Sequence, residues 1–219
     1  MGPEKETMLI DIFHDTACPW CRIGKKHLFD ALKQWQGEAV DIRWHAFLPD
    51  DTIPPAGIPF RTFMKARKGI DPEELHRLFD YTRQRGEVAG VKLDFEKMSL
   101  AVNTKLSHRL IALAPENSKV AVVEAIYKAY FEDGLNIGDI ETLVALGSQA
   151  AGMDATQLRS QLNGDAALDQ VMLDTTFARQ IDITSVPFFI FNNKVSVNGS
   201  QSVDVFCQVL NQAALLEVS

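Results

Sequence analysis

Two cysteines separated by two residues, Cys18-Pro19-Trp20-Cys21, are the residues of this chain whose types and spacing can do chemistry. Thiols at that spacing suit thiol–disulfide exchange, in which one sulfur attacks a disulfide and the other resolves the mixed disulfide. The attacking group must be a thiolate, and an ordinary cysteine, with a pKa of about 8.5, is mostly protonated at neutral pH. The first turn of a helix favours the anion through its unpaired N–H groups and the positive end of its dipole. Thiols at helix N-termini and in Cys-x-x-Cys motifs accordingly ionise in a range of roughly 3.5–7.5. Pro19 fits the first helical position, where its missing N–H is no loss. Cys18 is then the cap residue and expected nucleophile, and Cys21, one turn inside, the sheltered resolving thiol.

A structural zinc site is the competing use of such a pair, and it needs two further ligands. The third cysteine, Cys207, is far away in sequence, and His14 and His27 flank the motif without forming a familiar ligand pair. No metal is expected.

The elements that must position the thiols can be read around them. The apolar run Met8 to Phe13 precedes the motif as a strand, and Ile23, Leu28, Ala31, Leu32 and Trp35 recur at helical spacing after it. This predicts a helix from Pro19 to about Gln36, stopped by Gly37. Val40, Ile42, Trp44 and Ala46 then alternate with polar residues as a second strand, completing a β-α-β unit of the kind that builds parallel sheets. Prolines 49, 54, 55 and 59 mark an irregular connection. Helical patterns follow over about 71–86, 104–114, 118–133, 139–151, a short stretch after Asp154, and 165–180, while 91–95 is ambiguous and reads as extended loop. Strands return with Pro187 to Phe191 and Lys194 to Asn198, joined by Asn192-Asn193, a pair that tolerates positive φ. A final amphipathic helix carries Val203, Phe206, Val209 and Leu210 on one face.

Composition narrows the function classes. The chain has 219 residues, 46% hydrophobic and 23% charged, with a net charge of −7. That is ordinary globular composition, and the negative balance argues against nucleic-acid partners. No apolar run approaches membrane-spanning length. Met1 to Thr7 is polar, with no signal-peptide pattern. Three cysteines make no disulfide framework, which favours a reducing, cytoplasmic setting.

The motif after a first strand, a helical middle, and Ser185-Val186-Pro187-Phe188-Phe189 before the closing hairpin together resemble the DsbA family of thioredoxin-fold proteins. More narrowly the chain resembles the FrnE-like group, through Cys18 to Lys25, Asn103-Thr104 with His108-Arg109, and Val186 to Phe191 with Val197 to Gln201. The resemblance implies an α/β thioredoxin fold interrupted by an α-helical insertion. Its N-terminal part is residues 8–56, the insertion 57–180 and the C-terminal part 181–219. It implies dithiol–disulfide exchange by Cys18 and Cys21, with Pro187 as a cis-proline facing them. Val186 and Trp20 would meet the substrate, as would Asn103 and His108 on the weaker part of the likeness. Ser185 stands where the group usually has glycine, and His45-Ala46-Phe47-Leu48-Pro49 where a more polar strand end is usual, which bears on substrate choice.

The remaining candidates read two ways. His14 and Asp15 are proton relays or plain turn residues; Asn103 is also a helix cap, and His108 also a partly buried polar residue. Arg22 reads as a solvated charge, Phe60, Phe63 and Met64 as core rather than groove, and Cys207 as a buried inert thiol. The expected function is a cytoplasmic thiol–disulfide oxidoreductase acting on protein or small thiols. No cofactor is implied, glutathione is a candidate co-substrate, and a dimer is left open. A glutathione-dependent transferase or isomerase of the related kappa-class branch is the first alternative. A non-enzymatic, holdase-like binding module is the second.

Overall fold

The computed structural model describes residues 7–216, so the polar N-terminal segment lies outside the described residues apart from Thr7. Strand β1 (Thr7–His14) pairs parallel with β2 (Ala39–Ala46) on one side and antiparallel with a later strand, β5 (Phe188–Phe191), on the other. Strand β6 (Val195–Asn198) closes the sheet in the order β2-β1-β5-β6. As an inner strand covered on both faces, β1 reads as a nearly continuous apolar run, with Asp11 its one buried charge. The β5–β6 turn uses Asn192 and Asn193 at φ of 50° and 54°, as their small polar side chains allow.

Helix α1 (Pro19–Leu32) connects β1 to β2 and packs beside α9 (Val203–Leu215). Ile10, Ile12, Leu28, Ala31, Phe189, Phe206 and Leu210 form the core between sheet and helices. The helix is shorter than its periodicity suggests. Turns replace it after Leu32, and the Trp35 indole donates to Glu38 O at 2.9 Å while its ring lies across Gly37.

Between β2 and β5 the chain forms a two-stranded ladder, β3 (Ile58–Pro59) with β4 (Leu100–Ala101), and a set of helices. These are α2 (Phe60–Lys68), α3 (Pro72–Val88), α4 (Lys105–Leu113), α5 (Lys119–Phe131), α6 (Ile140–Ala151), α7 (Ala155–Asn163) and α8 (Leu168–Gln180). Asp71, Asp139 and Asp154 accept hydrogen bonds from the N–H three residues on, so α3, α6 and α7 start where a cap residue satisfies an orphan donor. Helix α8 starts three residues later than the pattern from Asp165 suggests. Buried Arg109 donates to the carbonyls of Gln161, Leu162, Gly164 and Ala166, holding that turn open. Residues 91–95 are loop.

Helix α1 takes part in two cores. Leu28 and Ala31 face the sheet, whereas Cys21 and Ile23 join the helical core with Phe79, Val122, Ile126, Tyr127 and Phe131. The first turn of α1, which carries both motif cysteines, therefore sits on the seam between sheet and helices.

Candidate active site

Cys18 is the N-cap residue of α1, with extended backbone (φ −95°, ψ 114°), and Pro19 opens the helix. Its N–H donates to Asp15 O at 3.1 Å, and its carbonyl accepts from Cys21 N at 3.1 Å. That tight first turn fixes the two cysteines on one side of the helix. Cys18 is half-buried; Cys21 is 1% exposed, and neither is in a disulfide. Burial pushes the Cys21 thiol well above its ordinary pKa, and its hydrogen bond with Cys18 pushes the same way. A buried, protonated Cys21 below a half-exposed Cys18 is an asymmetric dithiol.

The loop before β5 forms the opposite wall. The Val186–Pro187 peptide is cis, and Cys18 Sγ donates to Val186 O at 3.8 Å. The Pro187 carbonyl accepts from Gly199 N at 2.8 Å, which ties this loop to the end of β6. Gly24 lets α1 approach so closely: a Cβ there would lie 2.9 Å from Pro187 Cγ and 3.2 Å from Phe189 Cζ.

Ion pairs hold the helix from the far side. Arg22 is 5% exposed and donates to Lys92 O at 2.7 Å, Glu124 Oε1 at 3.0 Å and Glu132 Oε1 at 2.6 Å. Lys25 Nζ reaches Glu124 Oε2 at 2.6 Å. Burial raises the Glu124 carboxyl, but Lys25 and Arg22 outweigh that and hold it below its ordinary pKa. Arg22 is thus an anchor of α1 to α5, which corrects its reading as a solvated charge. A single sequence gives no sign of partners a hundred residues away.

Behind the thiols lies a buried polar cluster. His14 Nδ1 is 2.8 Å from the Tyr127 hydroxyl, Thr16 and Ser107 hydroxyls are 2.7 Å apart, and His108 Nε2 is 3.6 Å from Asp15 Oδ1. The His14 and His108 rings meet edge to face at 5.1 Å between centroids. Burial, and then His108, hold the His14 imidazole well below its ordinary pKa, so it stays neutral. Both histidines line a cavity of about 430 Å³ whose wall includes Trp44, Glu116 and Lys119.

The model of the DSBA-like thioredoxin domain matches residues 9–211. The chain belongs to that family. A probable DsbA oxidoreductase from Streptomyces coelicolor superimposes with a TM-score of 0.86 at 31% identity, over 94% of this chain and 89% of the other. YwbO, an uncharacterised Bacillus subtilis protein, is 28% identical over 206 residues, spanning 91% of this chain and 94% of YwbO. The cytosolic disulfide reductase DsbM of Pseudomonas aeruginosa, solved with GSH, shares the fold at a TM-score of 0.63 and 16% identity, over 96% and 98% of the two chains.

In this DsbA-like frame, Cys18, Cys21, Val186 and Pro187 meet at one place, and the half-buried Trp20 lies beside them with its ring 5.9 Å from that of Tyr81 on α3. Tyr81 is 55% exposed and was not legible as a site neighbour, because only the packing of α3 brings it there. Asn103 is committed elsewhere: its amide donates to Ile53 O at 2.7 Å and Asp51 O at 3.3 Å, and its Oδ1 accepts from Lys105 N at 3.0 Å. The cap position of α4 is Thr104, whose side chain makes no cap bond, so Asn103 serves that end from one residue upstream. His108 is fully buried rather than partly so. Phe63 is buried with Ile53 and Ala101, and Phe60 and Met64 pack on it as core. Cys207 is half-buried and borders a 240 Å³ cavity with Trp35 and Gly37, correcting its reading as fully buried. Among the described residues no cluster of ligating side chains suits a metal ion, and no helix is long and apolar enough to cross a membrane.

Proposed function

We propose that this chain is a dithiol–disulfide oxidoreductase in which Cys18 attacks and Cys21 resolves. The observation that carries the reading is the asymmetry of the pair. The half-exposed Cys18 sulfur lies beside the Val186 carbonyl, where an incoming disulfide can reach it, while Cys21 is held protonated beneath it. The Cys18 thiolate attacks a substrate sulfur and expels the other as a thiolate, leaving a mixed disulfide. Cys21 then loses its proton, attacks Cys18 Sγ and releases the bound sulfur, so two electrons pass from the dithiol to the substrate. The reverse sequence oxidises a substrate dithiol. Pro187 and Val186 shape the face that the substrate meets, and the Trp20–Tyr81 pair adds apolar surface beside it. Partners are protein or small thiols, glutathione among them, and a chain with one isolated cysteine besides its exchange pair suits a reducing compartment such as the cytoplasm.

Replacing Cys21 with Ser tests this directly. The variant should accumulate a mixed disulfide on Cys18, visible by mass spectrometry as protein or glutathione adducts from a cell extract, and Cys18→Ser should trap none. A wild-type protein that leaves model disulfides unreduced, with no adduct on Cys21→Ser, would remove the exchange reading. A glutathione adduct without disulfide reductase activity would favour transferase chemistry instead.

A further inference from the structure

Cys21 must release a proton in the resolving step, yet it is 1% exposed and its surroundings favour the neutral thiol. A base within the protein has to take that proton. Three buried polar atoms in the cluster behind it have no hydrogen-bond partner: His14 Nε2, Asp15 Oδ1 and His108 Nε2. Buried polar atoms are paired in the great majority of cases, so three orphans in one cluster call for an explanation.

Two of the three face each other, Asp15 Oδ1 and His108 Nε2 at 3.6 Å. Asp15 is also bound to the motif itself. Its carbonyl accepts from Cys18 N at 3.1 Å, and its charge is among the influences that keep the Cys21 thiol protonated. The other ionisable groups nearby are unsuited to the task. Burial holds the Tyr127 hydroxyl protonated, with the neighbouring Cys21 and Cys18 acting in the same direction. His14 is kept neutral by burial and by His108. Lys25, Arg22 and Glu124 are committed to one another, and His45 to Asp11 and Asp174. His108 also lines the 430 Å³ cavity between α4, α8 and β2. That cavity reaches Glu116 and Lys119 at the surface, and its lining does not include Cys18, Cys21 or Pro187.

We propose that Asp15 and His108 form the proton relay of Cys21, and that the proton reaches solvent through the cavity behind His108 rather than past Cys18. The inference rests on the dithiol-exchange reading and names who handles its proton. With Cys18 bonded to a substrate sulfur, the Cys21 thiol passes its proton to the Asp15–His108 pair. The Cys21 thiolate attacks Cys18 Sγ; the Cys18–Cys21 bond forms, the Cys18–substrate bond breaks, and the substrate leaves as a thiolate with the electron pair. His108 then gives the proton to water in the cavity. In the opposite direction the pair returns a proton to Cys21. A helix of the insertion thereby takes part in the chemistry.

The test uses the reduced full chain carrying Cys207→Ser and an aromatic disulfide, dithiobis(nitrobenzoate), whose two thiolates are coloured. Attack by Cys18 releases the first and resolution by Cys21 the second. Asp15→Asn and His108→Ala should leave the first release unchanged and slow the second on the order of 100-fold at neutral pH, the scale of a lost general base. In both variants the second phase should become steeply dependent on hydroxide. Added imidazole, which the enlarged cavity can admit, should restore it in His108→Ala in proportion to concentration. Circular dichroism confirms that each variant is folded, and the near-isosteric Asp15→Asn keeps the test open should His108→Ala unfold. An unchanged second phase overturns the relay, as does a slowed one that keeps the wild-type pH profile and ignores imidazole. Absence of the first release in the parent protein would overturn the exchange reading, and the relay with it.

Discussion

The stability of this fold should fall as the pH rises through about 9, because of His45. Its Nε2 lies 2.6 Å from Asp11 Oδ1 and its Nδ1 3.0 Å from Asp174 Oδ1, so both ring nitrogens face carboxylates and both must donate. Asp174 Oδ2 also accepts from Ala46 N at 3.1 Å, and Arg43 donates to both Asp11 oxygens at 2.7 and 2.9 Å. The imidazolium thereby ties β2 to β1 and to α8. Burial by itself would lower the His45 pKa, but the hydrogen bonds that the ring donates to Asp11 and Asp174 outweigh it and raise the value from 6.5 to about 9. A folded-state pKa above the unfolded one means that the native state holds the proton more tightly. The stabilisation is therefore complete below the unfolded value of 6.5 and is lost as the pH rises through about 9. A difference of roughly 2.5 pKa units at about 1.4 kcal/mol each gives about 3 kcal/mol. The side chain is only 16% exposed, so solvent screening removes little of it. Urea unfolding of the reduced protein from about pH 6 to about pH 10, beside His45→Gln, measures this. The wild type should exceed the variant by about 3 kcal/mol at the acid end, and the two should converge at the alkaline end. Cysteine ionisation affects both proteins alike and drops out of the difference. Curves that run parallel across the window would refute the imidazolium assignment.

Other expectations follow from particular contacts. Iodoacetamide should modify Cys18 in the native reduced protein and leave Cys21 unmodified at alkaline pH until denaturant exposes it, as peptide mapping would reveal. Gly24→Ala forces a methyl group against Pro187 and should lower stability by about 1–3 kcal/mol while slowing exchange, read from urea midpoints and a reductase assay. Arg22→Met leaves Glu132 without its cation and should destabilise the fold on the order of 3 kcal/mol, measured the same way. Tyr127→Phe removes the hydroxyl partner of His14 Nδ1 and should cost about 1–3 kcal/mol of stability without abolishing mixed-disulfide formation.

Much of the frame was legible locally. Period-two and helical patterns are properties of neighbouring residues, as are a proline at the first helical position and aspartate caps. They place the elements around the motif without reference to the rest of the chain. One charge in an otherwise apolar central strand, Asp11, was a readable sign of a buried ion pair, although its partners were not. Local pattern is enough to give a dithiol at the mouth of a helix between two strands, with a Val-Pro strand start available to face it. Tertiary structure decided which groups stand behind that dithiol. Arg22 finds Glu124 and Glu132, Asp15 finds His108, and His14 finds Tyr127, each across some ninety residues or more of chain. Nothing in the spacing of those residues encodes such meetings. They arise because α1 is shared by two cores, and gathering the first turn of α1 into the core of the insertion helices buries charges and imidazoles that must then satisfy one another out of reach of water.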